Sequence, residues 1–79
     1  MVELRVEVPE GALGALRKDP TEFARELRVA AAVTWYARGV VSQGCAAEIA
    51  GLSRAEFIVA LGRYGVSPFQ ETLDDLLVG

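Results

Sequence analysis

Few side chains in this chain are placed to do chemistry, and those that are point to contact rather than turnover. Arg54 and Arg63 stand nine residues apart on one segment, with Gln43 upstream of them. Arginine and glutamine are donors to phosphates and base edges, so these three are the candidate DNA contacts. Cys45 lies between Gly44 and Ala46 in a chain without histidine, so nothing activates it as a nucleophile and it reads as a small buried filler. Asp74 and Asp75 are sequence neighbours; on a helix such neighbours do not share a face, so a solvated acidic face is expected instead of a paired-carboxylate site. Gly11 and Gly14 are not followed by the Lys-Ser/Thr pair of a phosphate loop. With no histidine and one cysteine, no metal or cofactor site is expected, and the chain reads as a binding protein, not an enzyme.

The elements that must position these residues centre on Ser42–Leu61. Ser42 can cap a first helix, and Ala47 is small where two helices cross. Gly51 sits where the turn needs a positive φ, and Leu52 is the apolar plug of that turn. Ser53 caps a second helix with Glu56 closing a capping box, and Phe57, Ala60, Leu61 and Tyr64 fall on the face toward the first helix. This is a helix-turn-helix over 42–64. The opposite face of its second helix carries Ala55, Val59 and Gly62, with Ile58 and Arg63 at the edges. Methyl groups dominate where a DNA reader needs donors. Two readings stay open: a reader using Arg54 and Arg63, or a packing scaffold, which the residues favour.

Upstream, Asp19-Pro20-Thr21-Glu22 combines a cap, a first-turn proline and a capping glutamate, so a long helix runs from Pro20 to about Arg38 and stops at Gly39. Phe23 and Leu27 face inward in its first half; from Val29 onward it is apolar nearly all round, with Trp35 and Tyr36 in core or interface. Residues 10–17 suggest a short helix with Leu13 and Leu16 inward. Val2, Leu4, Val6 and Val8 alternate with Glu3, Arg5 and Glu7, which predicts a β-strand over 1–9. That strand has no equal partner in the chain except the short Gly65–Ser67, so Val2, Leu4 and Val6 are the candidate interface of a homodimer. Ser67-Pro68-Phe69-Gln70 again spells a helix start, followed by an apolar stripe of Phe69, Leu73, Leu76 and Leu77 flanked by Glu71, Asp74 and Asp75. This tail, 67–79, either folds onto its own core or lies in a partner's groove; its wholly acidic flank suits a basic partner. The expected fold is therefore mainly α in a single domain: N-terminal strand, long helix, helix-turn-helix and C-terminal helical segment, assembled as an intertwined dimer.

Composition bounds the rest. The chain has 79 residues, 52% of them hydrophobic, and a mean hydropathy of +0.29. So much apolar material on one small domain predicts cover by another chain. The net charge of −3 opposes broad attraction to nucleic acid, although residues 11–65 hold seven basic against five acidic side chains. A lone cysteine, a charged N-terminus, and a longest apolar run of only Val29–Ala37 predict a soluble, cytoplasmic protein that does not enter a membrane.

Four segments, Tyr36–Gly39, Ser42–Glu48, Gly51–Phe57 and Gly65-Val66, carry a resemblance covering nearly the whole chain. In their order and spacing the chain resembles a family of small prokaryotic helix-turn-helix proteins catalogued as uncharacterised. Members are regarded as antitoxins, often paired with PIN-domain ribonuclease toxins. The resemblance implies that this chain neutralises such a toxin; operator binding as the dimer or complex is a further expectation, with weak or no DNA binding expected of the chain alone. One position departs from the family: Ala55 stands where a bulky aromatic is common, which flattens the outward face. A stand-alone transcriptional regulator and a structural oligomerisation module are the alternatives.

Overall fold

The computed structural model describes residues 2–69, which form four helices in the order α1 (Glu10–Leu16), α2 (Pro20–Ala37), α3 (Gln43–Ala50) and α4 (Arg54–Arg63). Each boundary of the last three has a local chemical cause. The Asp19 carboxylate accepts the Glu22 N–H at 2.8 Å, and Pro20 occupies the first turn, where its missing N–H costs nothing. Ser42 accepts the Cys45 N–H at 3.1 Å. Ser53 and Glu56 form a reciprocal capping box: the Ser53 hydroxyl accepts the Glu56 N–H at 3.1 Å, and the Glu56 carboxylate accepts the Ser53 N–H at 2.9 Å. At its C-terminus α3 closes on Gly51 at φ 72°, and the Leu52 N–H reaches back to the Ala47 carbonyl at 3.0 Å. The same left-handed glycine closure follows α2 and α4.

The core lies where the second half of α2 crosses α3 and α4. Ala32, Val33 and Tyr36 from α2 meet Ala46, Ala47 and Ala50 from α3 and Phe57, Ala60 and Leu61 from α4, all buried. The alanines let the helix axes approach closely. The two large rings, Tyr36 and Phe57, meet edge to face with centroids 6.0 Å apart at 84°. Val29, Val41, Ile49, Leu52 and Val66 close the rim. Arg28 staples α2 to the end of α3, its Nε donating to the Ile49 carbonyl at 2.8 Å.

The N-terminal strand is a correction. No strand exists among the described residues; residues 2–9 lie outside any helix, and Val2 and Leu4 are 86% and 84% exposed. Alternation creates one apolar edge, but a strand also needs a neighbour for its backbone hydrogen bonds, and the described residues offer none. Gly65 and Val66 are engaged in closing α4 instead, the Val66 N–H bonding to the Leu61 carbonyl at 2.9 Å. Leu16 also departs from expectation: α1 turns only Ala12 and Leu13 partly inward and leaves Leu16 exposed.

Candidate functional site

The helix-turn-helix brings Gln43 and Arg54 together but not onto a reading surface. Gln43 opens α3 and is only 5% exposed. Its Oε1 accepts the Arg54 Nε–H at 2.8 Å, and its Nε2 donates to the Pro68 carbonyl at 3.0 Å. The Tyr36 hydroxyl donates to the same carbonyl at 2.9 Å. This buried knot ties the end of α2, the starts of α3 and α4, and the chain leaving α4. Arg54, at the start of α4, is exposed with its Nε held by Gln43; Arg63 is exposed in the last turn of α4. Along α4 the two arginines are about 13 Å apart at 1.5 Å per residue. Gln43 is thus a structural hub, and the Nε of Arg54 is engaged within the protein.

Between the arginines the outer face of α4 exposes Ala55, Ile58, Val59 and Gly62, with Val59 at 59%. Beside this face runs a groove of about 550 Å³ between α2 and α4. It is lined by the apolar Val29, Leu52, Val59 and Ala60 and by Glu26, Glu56, Arg63 and Tyr64. The Tyr64 hydroxyl donates to Glu26 Oε1 at 3.2 Å. Partial burial, then the neighbouring Glu26 charge, push the Tyr64 phenol above its ordinary value, so it stays a neutral donor. The Ser53 backbone N–H, helped by the Ser53 hydroxyl, holds the Glu56 carboxyl below the usual range, so it stays an anion. The groove lining therefore combines apolar side chains with two carboxylates, one phenol and one guanidinium. It has hydrophobic area to bury against a partner, but few of the donors that a base edge or phosphate requires.

Several sequence expectations meet a different structure here. Tyr64, expected on the face toward the first helix of the motif, lines the groove and bonds to Glu26 of α2, 38 residues away. Cys45 was expected as buried filler and is exposed, because α3 turns Ala46, Ala47 and Ala50 inward instead. Of the core and interface places expected for Trp35, the structure excludes the core: the side chain is 43% exposed on the outside of α2. The groove residues Glu26, Val29 and Leu52 were not singled out as a site; no local pattern joins positions so far apart in sequence. The dimer candidates Val2, Leu4 and Val6 are exposed, as is Phe69, whose N–H bonds the Ser67 hydroxyl at 3.2 Å. Leu73, Leu76 and Leu77 lie outside the described residues. No group of metal-ligating side chains occurs among the described residues, and no described helix is long and apolar enough to cross a membrane.

Fold and site together define a small α-helical protein built on a helix-turn-helix whose outer face is apolar. The chain belongs to the uncharacterised protein family UPF0175, whose family model matches residues 1–77. It is similar to two UPF0175 proteins of Aeropyrum pernix. One is 43% identical over 61 residues, covering 77% of this chain and 64% of the relative; the chain thus spans less than two thirds of that protein. The other is 33% identical over 75 residues, covering 95% of this chain and 86% of the relative. No solved structure matches.

Proposed function

We propose that this chain is an antitoxin-type binding protein that neutralises a partner ribonuclease by direct contact. The observation that carries the reading is the outer face of α4, where Ile58 and Val59 are exposed beside the apolar groove. An exposed apolar surface next to a rimmed groove is a mark of protein–protein contact. The two carboxylates in its lining, Glu26 and Glu56, suit a protein whose own surface is basic, as an RNA-cleaving enzyme's must be around its substrate. The ribonuclease of the PIN-domain class is the partner that the family resemblance implies. Phe69 and the tail that follows it are the second candidate contact, and operator binding through Arg54 and Arg63 is a subsidiary role of the dimer or complex.

The test is co-expression with a PIN-domain ribonuclease from the same genome, with co-purification and RNA cleavage as readouts. Wild-type protein is expected to co-purify with it and suppress cleavage, and Val59→Glu to lose both while its circular dichroism is unchanged. Full inhibition by folded Val59→Glu would remove α4 from the contact. A chain truncated after Ser67 that stays folded but no longer inhibits would move the contact to the tail. The stand-alone regulator reading predicts instead a nanomolar, sequence-specific DNA complex of the chain alone, lost in Arg54→Ala. Weak or no DNA binding at physiological salt is expected.

A further inference from the structure

The groove between α2 and α4 has two unlike ends and an apolar lining between them. Val29 and Leu52 are half-buried in that lining, and Val59 is exposed. At one end the Tyr64 hydroxyl donates to Glu26, and Arg63 is near enough to act on the same phenol, so the charges there offset one another. Glu56 lines the groove eight residues before Tyr64, about 12 Å or a little over two helical turns away. One of its carboxylate oxygens accepts the Ser53 N–H; the other has no hydrogen-bond or ion-pair partner among the described residues. The lining offers no free backbone edge for an extended chain to pair with. Helices α2 and α4 bond their own backbone, the Leu52 N–H goes to the Ala47 carbonyl, and the Ser53 N–H goes to Glu56.

We propose, resting on the ribonuclease-binding reading above, that this groove receives an amphipathic helix of the ribonuclease, about two turns of it in contact, with a lysine or arginine set against Glu56. In the free protein Glu56 is exposed, and its second oxygen is open to solvent. A partner that covered it with apolar groups alone would desolvate an anion and give nothing back, so the occupant must bring a cation. Arg63 repels a base at the far end, which fixes the end where that cation lies. Beside the cation the occupant must be apolar, to cover Val29, Leu52 and Val59. A helix meets the remaining condition because it satisfies its own backbone. An extended peptide would carry unpaired N–H and C=O groups against the apolar lining. The chain's own ends do not fit. Residues 1–10 carry Arg5 against Glu3, Glu7 and Glu10, and residues 70–79 carry Glu71, Asp74 and Asp75 with no base. Either end would set carboxylates against Glu56, and a second copy brings a net charge of −3. Charge therefore selects a foreign, basic segment.

Methyl NMR of the full-length protein titrated with the same PIN-domain ribonuclease tests this, together with the affinities of variants. On binding, the methyl signals of Val29 and Leu52 are expected to shift along with those of Val59. Glu56→Gln keeps an oxygen for the Ser53 N–H and is expected to weaken the complex about tenfold with its circular dichroism unchanged. Ile58→Ser, outside the groove lining, is expected to weaken it no more than about twofold. Among alanine variants of the ribonuclease's lysines and arginines, one is expected whose loss disappears against Glu56→Gln. A complex that leaves Val29 and Leu52 unmoved, or that suffers more from Ile58→Ser than from Glu56→Gln, would overturn the groove proposal and leave ribonuclease binding standing. Groove shifts with no basic residue coupled to Glu56 would overturn it as well. Absence of any complex would remove the ribonuclease reading itself, and this proposal with it. Should Glu56→Gln fail to fold, the methyl shifts of the wild type decide.

Discussion

The segment from Val2 to Arg17 and the helix-turn-helix from Ser42 to Val66 are both rich in apolar residues, yet only the second buries them. In the helix-turn-helix, Phe57 and Leu61 are fully buried and both helices begin on a serine cap and end on a left-handed glycine closure. In the N-terminal segment, Val2, Leu4, Val6 and Leu16 remain exposed. Helix α1 starts at Pro9 without a side-chain cap and closes on Arg17 at φ 54°, a conformation that costs a non-glycine residue about 1–2 kcal/mol. The difference is not hydrophobicity but closure. A capped helix satisfies its own backbone and then needs only one apolar neighbour. An alternating segment needs another strand before its apolar edge can be buried at all.

The sharpest way to break this comparison is to cut the same kind of side chain from both regions. Phe57 is fully buried with its ring against Tyr36. Phe57→Ala is expected to cost about 3–5 kcal/mol, enough to unfold much of a domain this small at room temperature. Leu4→Ala is expected to change stability by no more than about 0.5 kcal/mol. Urea titrations followed by circular dichroism decide it. A Leu4→Ala loss approaching that of Phe57→Ala would mean that residues 2–9 are packed after all.

A second, smaller effect separates a buried polar hub from the binding role that sequence assigned to it. Gln43→Leu removes the acceptor of the Arg54 Nε–H and one of two donors to the Pro68 carbonyl. Arg54 is exposed and the Pro68 carbonyl keeps the Tyr36 hydroxyl, so the loss is that of ordinary hydrogen bonds, about 0.5–1.5 kcal/mol each. Stability is expected to fall by that order in chemical denaturation. Any weak DNA affinity, measured at low salt on the protein that remains folded, is expected to fall less for Gln43→Leu than for Arg63→Ala. The opposite ranking would return Gln43 to the contact surface.

These cases show what a reader of the sequence can and cannot recover. The capping residues Asp19, Ser42 and Ser53 and the closing glycines Gly39, Gly51 and Gly65 act within a few residues of themselves, so the bounds of α2, α3 and α4 were legible. The inward set of α4 was legible for Phe57, Ala60 and Leu61, because a 3.6-residue period names a face. The groove was not, because Glu26 and Tyr64 meet only after two helices cross. Gln43 misled for a related reason: an amide serves a base edge and a buried carbonyl equally well, and only the position of Pro68 distinguishes them. The N-terminal strand misled because periodicity reports an edge and not a partner.

The turn itself offers the next test. A Cβ on Gly51 would meet the Arg28 guanidinium at 3.1 Å, and φ there is 72°. Gly51→Ala must adopt a left-handed conformation and also push aside the group that binds the Ile49 carbonyl. Gly65→Ala meets nothing nearby and bears only the conformational strain at φ 69°. Gly65→Ala is expected to cost about 1 kcal/mol and Gly51→Ala clearly more. Thermal melts rank the two, and equal losses would show that Arg28 moves aside freely.

The smallest expected effect concerns the capping box at the start of α4, and it is a dependence on pH. The Glu56 carboxylate accepts the Ser53 N–H, and that bond holds its pKa below the ordinary glutamate value of 4.5. A carboxyl whose pKa is lower in the folded than in the unfolded chain stabilises the fold wherever it is ionised in both states. That stability is complete above the unfolded value and drains away as pH falls through the folded one. Glu56→Gln keeps an oxygen for the Ser53 N–H but cannot titrate. The melting temperature of wild type is therefore expected to exceed that of Glu56→Gln at pH 7, and the gap to close on acidification below about pH 4.5. Asp19, whose carboxyl is also held low, chiefly by the Glu22 N–H, titrates in both proteins and drops out of the difference. Curves that stay parallel from pH 7 to pH 3 would show that the box holds α4 by hydrogen-bond geometry alone, with no contribution from the charge of Glu56 at the helix N-terminus.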